Sequence, residues 1–315
     1  MSRRVAVFAV VATATVAHAF VAPLLAQRAP GPPAVTIAGL GPETYVLVSG
    51  VVGGVAGFRR LEALLLARGK RVVVIDPYNL SLDSAEVTFA ALARRVDAVI
   101  AAHGLTSVRL VGHSHGGGVA LRLAARDPMR ISSLYLLDVG ALPANRTSVF
   151  SGSLRLLPII NRIPGGRAFL RGRFIRGLEK NSTRHEWLDS ATRHEYTEPM
   201  LNDLGRVVAL ARRLAVAREP DSLTAIVARI HVPVTVILGD TPHESGLNPG
   251  ELEALQPLGS LLHVVHIPGV GHFPHEEAPE RVARQLLEPR QSRSLHLEMI
   301  CDESFRHTDV GDGSA

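Results

Sequence analysis

The residues able to do chemistry fall in a few short stretches. Val111-Gly-His-Ser-His-Gly-Gly117 sets Ser114 between glycines at the alternate positions Gly112 and Gly116. An apolar, strand-like run (108–111) precedes it and a helix-like run (116–126) follows. A serine at the tip of so tight a strand-to-helix turn requires small neighbours, because side chains at the flanking positions would meet backbone. Such a turn lifts the hydroxyl clear of the sheet and leaves helix N-terminal N–H groups facing any negative charge that develops beside it. A glycine-rich loop that merely packs, or that holds a phosphate, is the competing reading. The strand before and the helix after favour a nucleophile.

A hydroxyl nucleophile needs a base. His272, in the loop stretch Pro268-Gly-Val-Gly-His-Phe-Pro-His-Glu-Glu-Ala-Pro279, follows a strand and precedes the last helix, where its ring can accept the serine proton. His263 and His266 lie on the strand itself and read as packing or surface residues, and His275 faces the start of the helix. His113 and His115 flank the serine, and His115 is expected to offer its backbone N–H rather than its ring. A carboxylate must then hold the base's tautomer and stabilise its positive form.

These groups require a framework that brings distant loops to one edge. Short β-branched or apolar runs at 45–49, 72–75, 108–111, 133–137, 234–238 and 263–267 alternate with amphipathic stretches at 58–68, 87–103, 116–126 and 279–288, and with a short helix near Glu251. Strands apolar on both faces, interleaved with helices, predict an α/β fold with a mostly parallel sheet flanked by helices. Between 139 and 229 no strand pattern is visible. That stretch contains a Pro-Gly-Gly break at 164–166, the single tryptophan Trp187 and a long helical run, 201–219. It reads as a helical cap inserted into a core made of 34–138 and 230–289.

The ends read differently. Arg3 and Arg4 precede 22 residues without a charge, Val5 to Ala26, enough to span a bilayer, which takes about 20. Ala17-His18-Ala19 has the small-x-small form of a cleavage site. Residues 1–33 are therefore expected to be a signal peptide or membrane anchor plus a Pro-rich linker, making the protein exported and either secreted or held in the cell membrane by residues 5–26. The polar segment 290–315 is expected to be a disordered tail.

Composition narrows the classes further. With 46% hydrophobic and 20% charged residues, the chain can bury a core. One cysteine, Cys301, excludes an internal disulfide framework and cysteine-rich zinc sites. His-Glu pairs begin at 185, 194, 243 and 275, but none completes His-Glu-x-x-His, so no metal site is expected, and no cofactor. The net charge of +5 comes almost entirely from arginine. Arg155, Arg162, Arg167, Arg171, Arg173 and Arg176 fall together with no acid until Glu179; a solvated helical face is favoured over a patch for lipid or an anionic ligand. No nucleic-acid-binding signature is present.

Taken together, Val48-Ser49-Gly50, Asp76, Gly112-His-Ser-His-Gly-Gly117, Val232-Pro-Val-Thr-Val-Ile-Leu-Gly239 and Gly271-His-Phe-Pro-His-Glu-Glu-Ala-Pro-Glu280 resemble the α/β-hydrolase fold family, in its cap-bearing, esterase- or lipase-like form. The resemblance spans about 45–288 and the order serine, acid, histidine agrees with it. It implies a serine hydrolase that forms an acyl-enzyme on Ser114 with His272 as base and the backbone N–H groups of Val51 and His115 as oxyanion hole. The substrate would be a small-molecule or lipid ester. The alternative is a catalytically silent binding protein with the same fold. The sequence departs from the family at two places: Ser49 replaces the usual histidine before Gly50, and Pro242 stands where the acid commonly lies. The resemblance leaves Asp240, directly after Gly239, as the first acid candidate, with Asp138, ending Leu136-Leu137-Asp138 where some relatives, including haloalkane dehalogenases, place their acid, as a near-equal alternative, and Glu244 third. A serine at 114 argues against the carboxylate-nucleophile chemistry of epoxide and haloalkane hydrolysis.

Overall fold

A computed structural model describes residues 34–79, 87–140, 142, 156–243 and 246–288. The leader and linker, the terminal tail, Cys301, Arg155 and Glu244 lie outside the described residues.

Seven strands form one sheet: β1 (Ala34–Ala38), β2 (Thr44–Val48), β3 (Arg71–Asp76), β4 (Val108–His113), β5 (Ile131–Leu137), β6 (Val234–Gly239) and β7 (Leu262–Ile267), in the order β1-β3-β2-β4-β5-β6-β7. All pairings are parallel except β1 on β3. The sequence reading found six of these strands. It missed β1, whose Ala-Val-Thr-Ile-Ala is an edge strand with Ile37 exposed, so its short apolar run has no clear in–out contrast.

Alternation along each strand sends side chains to two apolar layers. Val46, Val48, Val73, Ile75, Leu110 and Val236 pack with helices α2 (Phe89–Ala102) and α3 (His115–Arg126) on one face. Tyr45, Leu47, Val72, Val74, Val111 and Ile237 pack with α1 (Arg59–Ala67) and with the last helix, Pro279–Leu287, on the other. This is why the strands read as apolar throughout rather than alternating.

Between β5 and β6 the chain forms α4 (Leu157–Ile160), α5 (Gly166–Lys180), α6 (Ser190–Asn202), α7 (Leu204–Val216) and α8 (Leu223–Val227). The helix predicted over 201–219 is α7, which starts at Leu204, while 201–202 close α6. The chain breaks at Asp203, whose carboxylate instead caps α7 by accepting from Arg206 N–H at 3.0 Å. After β6 come α9 (Pro249–Leu255), α10 (Pro274–Glu277) and α11 (Pro279–Leu287).

The arginine cluster splits by role. Arg167 and Arg171 both grip Glu198, binding α5 to α6, whereas Arg162, Arg173 and Arg176 are exposed. Leu178, Trp187, Leu188 and Tyr196 then pack as one buried cluster with Phe273, the residue after His272, so the inserted helices seat directly on the loop that carries that histidine.

Candidate active site

The sharp turn between β4 and α3 holds Ser114 at φ 52 and ψ −126. A non-glycine residue costs about 1–3 kcal/mol in such a conformation, so the surroundings must impose it. They do so through the flanking glycines. A Cβ on Gly116 would lie 2.3 Å from the Val48 carbonyl oxygen, and one on Gly112 would lie 2.5 Å from that of Gly116. Only bare backbone lets the start of α3 close onto β4 and the end of β2. The bond from Ser114 N–H to Leu137 O at 3.0 Å fastens the turn to β5.

His272 Nε2 lies 3.0 Å from Ser114 Oγ, across 158 residues of sequence. Its loop is held from three sides. His272 N–H donates to Asn181 O at 2.8 Å, at the C-terminal end of α5. The His113 ring contacts His272 O through Nε2 at 2.8 Å; a carbonyl only accepts, so that nitrogen carries the proton. Burial, followed by the nearby His272 ring, holds His113 down at about 3, which keeps it neutral. The buried Glu277 carboxylate accepts from the N–H groups of Gly271 and Phe273 on this loop, and from Thr183 and Arg184 on the inserted segment.

The carboxylate on the other side of His272 belongs to Asp138, not Asp240. Asp138 follows β5 at φ 42, is almost fully buried, and accepts from His272 Nδ1 at 2.5 Å through Oδ2. Its N–H donates to Ile237 O at 2.8 Å, fixing the residue to β6. Asp240 is exposed on the loop after β6. It accepts the Gly269 N–H at 2.7 Å, so it braces the base of the His272 loop instead of touching the ring. Glu244 lies outside the described residues.

Sequence reasoning missed a further contact. His243, in the same loop as Asp240, places Nε2 2.6 Å from the same Asp138 Oδ2 and Nδ1 2.8 Å from Thr241 O. Burial raises the affinity of Asp138 for a proton, but the hydrogen bonds and charge of the two histidines outweigh it and hold the carboxyl down at about 2. Asp138, His243 and His272 bring three donor atoms of metal-ligating type within 4.8 Å of one another, and hydrogen bonds account for all three. An open cavity of about 470 Å³ reaches this acid side of the site, lined by Asp138, Asp240, Thr241, His243, Leu247 and His266.

The remaining candidates fall where the sequence suggested. His275 is buried against the rings of Phe58 and His113, and burial keeps it far below its ordinary proton affinity. His263 and His266 are exposed on β7. His115 opens α3 beside Ser114, and Val51 lies in the turn after β2. A Cβ on the adjoining Gly50 would fall 3.3 Å from Ser114 Cβ, so this turn abuts the serine.

Doubly covered parallel sheet, serine at a strained strand-to-helix turn and imidazole from the loop after the last strand define one class. The chain belongs to the alpha/beta hydrolase family, which it matches over residues 45–285. It is 22% identical over 259 residues to the sn-1-specific diacylglycerol lipase ABHD11 of Mus musculus, covering 75% of this chain and 76% of that one. It is 34% identical over 113 residues to the 2-hydroxy-6-oxononadienedioate/2-hydroxy-6-oxononatrienedioate hydrolase 1 of Dechloromonas aromatica strain RCB, covering 32% of this chain and only 38% of that enzyme's length. Its fold resembles the crystal structure of a membrane phospholipase A, a bacterial virulence factor, with TM-score 0.61 and 23% identity over 89% of this chain and 94% of that one.

Proposed function

We propose that the protein is a serine hydrolase that cleaves an ester-type bond. The observation that carries this reading is the continuous run from Ser114 Oγ to His272 Nε2 at 3.0 Å and from His272 Nδ1 to the buried Asp138 carboxylate. In this mechanism Ser114 attacks the substrate carbonyl as His272 takes its proton. The tetrahedral oxyanion is met by the N–H groups of His115 and Val51, each worth about 3 kcal/mol if placed as in other oxyanion holes. His272 then returns the proton to the departing alcohol, leaving an acyl group on Ser114. Water, activated by the same imidazole, releases the acid. Asp138 holds the His272 tautomer and stabilises its positive form.

The mouse relative's name points to a lipid ester. The binding-protein alternative rested on Pro242, and Asp138 supplies a carboxylate without that position. The uncharged stretch 5–26 supports export or anchorage in a membrane; among the described residues, no helix is long and apolar enough to cross one.

Hydrolysis of nitrophenyl esters of increasing acyl length tests the reading. Wild type should turn over at least part of the series, and Ser114→Ala should lower kcat by on the order of 10⁴-fold or more. A folded wild type inert toward every chain length, or a Ser114→Ala variant that keeps its rate, would contradict it.

A further inference from the structure

His243 presents both ring nitrogens to oxygens that accept: the Asp138 carboxylate at 2.6 Å and the Thr241 carbonyl at 2.8 Å. A neutral imidazole has one N–H and can satisfy one of these bonds; the imidazolium has two and satisfies both. The ring is 7% exposed, so an unmade bond there would carry a desolvation cost. From this geometry we propose that His243 is a positively charged positioning residue that shares the Asp138 carboxylate with His272 and thereby lessens the stabilisation that carboxylate gives to a positive His272 ring. The proposal rests on the reading of Ser114, His272 and Asp138 as the reacting set.

The electrostatics agree in direction. Burial disfavours the charged His243 ring, but its bond to Asp138 and the carboxylate's charge prevail, and its proton affinity is raised. The groups facing His243 come from several elements: Asp138 at the end of β5, His113 at the end of β4, and His272 with its ring centroid 5.4 Å away. Glu277 in α10 adds a more distant negative charge, and Asp240 and His266 line the same open cavity. That cavity also gives the ring a route for proton exchange with solvent.

The consequence for His272 has a definite sign. Alone, the Asp138 charge would stabilise protonated His272 and remove the base as pH falls. With His243 charged on the same oxygen, part of the carboxylate's charge is already engaged and that stabilisation is partly cancelled. The loop that in relatives commonly supplies an acid here supplies a cation to an acid held on the neighbouring strand.

Two measurements on the full chain test this. Long-range nitrogen–proton NMR of the histidine rings should show protons on both His243 nitrogens near neutral pH; a neutral, single-proton His243 would overturn the proposal. This readout does not depend on any substrate being hydrolysed, so its result stands even if the ester reading fails. Where ester turnover is measurable, His243→Gln should move the acidic limb of the kcat/KM profile upward by on the order of one pH unit, as expected for removing a charge at about 5 Å in a partly buried site. His243→Arg, which keeps a cation and donors, should stay near the wild-type limb. An acidic limb that His243→Gln leaves in place, or moves downward, would overturn the proposal, since loss of a merely structural contact lowers the rate without shifting the limb.

Discussion

At Asp138 two histidines converge on one carboxylate oxygen, and this residue lies one strand away from the loop whose sequence suggested an acid. Both loops project from neighbouring strands, β5 and β6, so one-dimensional spacing gave them equal reach toward His272. Burial and the direction of the backbone decide between them: Asp138 turns inward at φ 42, while Asp240 stays exposed on Gly269 N–H. The prediction at this scale follows. Asp138→Asn should lower kcat by roughly 10³- to 10⁴-fold through the wrong His272 tautomer. Asp240→Asn, whose amide oxygen can still accept the Gly269 N–H, should leave ester turnover close to wild type. Equal losses, or the reverse order, would remove Asp138 from the role assigned to it. Ser114 and His272 were legible because their neighbours carry backbone constraints that sequence records. His243 was not, because its partner is 105 residues away and no local motif marks the approach.

The elements around the site are held by a pair of buried acids from α10. Glu277 joins the His272 loop to the segment after α5. Glu276 joins α10 to α6 through the Tyr196 hydroxyl at 2.8 Å and to α1 through Arg60 at 3.2 Å. Burial pushes Glu276 up to about 7, with Tyr196 and Arg60 only partly offsetting it. A carboxyl whose folded value is raised binds its proton more tightly in the native state. Its contribution to stability is therefore complete below the ordinary value of 4.5 and is lost as pH rises through about 7. Glu276→Gln keeps an acceptor for Tyr196 and cannot ionise. Its melting temperature should fall less than that of wild type as pH is raised across that window, a difference calorimetry would register. Parallel decline of the two proteins would show that Glu276 does not ionise within the fold. Nothing in the Glu276-Glu277 pair announced these tasks, since adjacent acids at a helix start also read as ordinary complements to its dipole.

For the whole molecule, the strand–helix alternation conveyed the sheet, its burial on both faces and the helices inserted between β5 and β6. It missed β1, whose pairing to β3 is antiparallel and half exposed, and it began α7 at Leu201, across the capping residue Asp203. The state of β1 is set by its tertiary partner rather than by local periodicity, and the start of α7 by a local cap that the apolar pattern does not record. The inserted helices were legible as a unit but their seating was not: Trp187 and Tyr196 pack on Phe273, which belongs to the loop bearing His272. The most direct measurement is the reaction of the full, folded chain with a fluorophosphonate, followed by peptide mass mapping. A single covalent adduct at Ser114, absent in Ser114→Ala and formed far more slowly in His272→Ala, is the predicted result. A folded wild type that takes up no reagent, or that carries it on any other residue, would contradict the account.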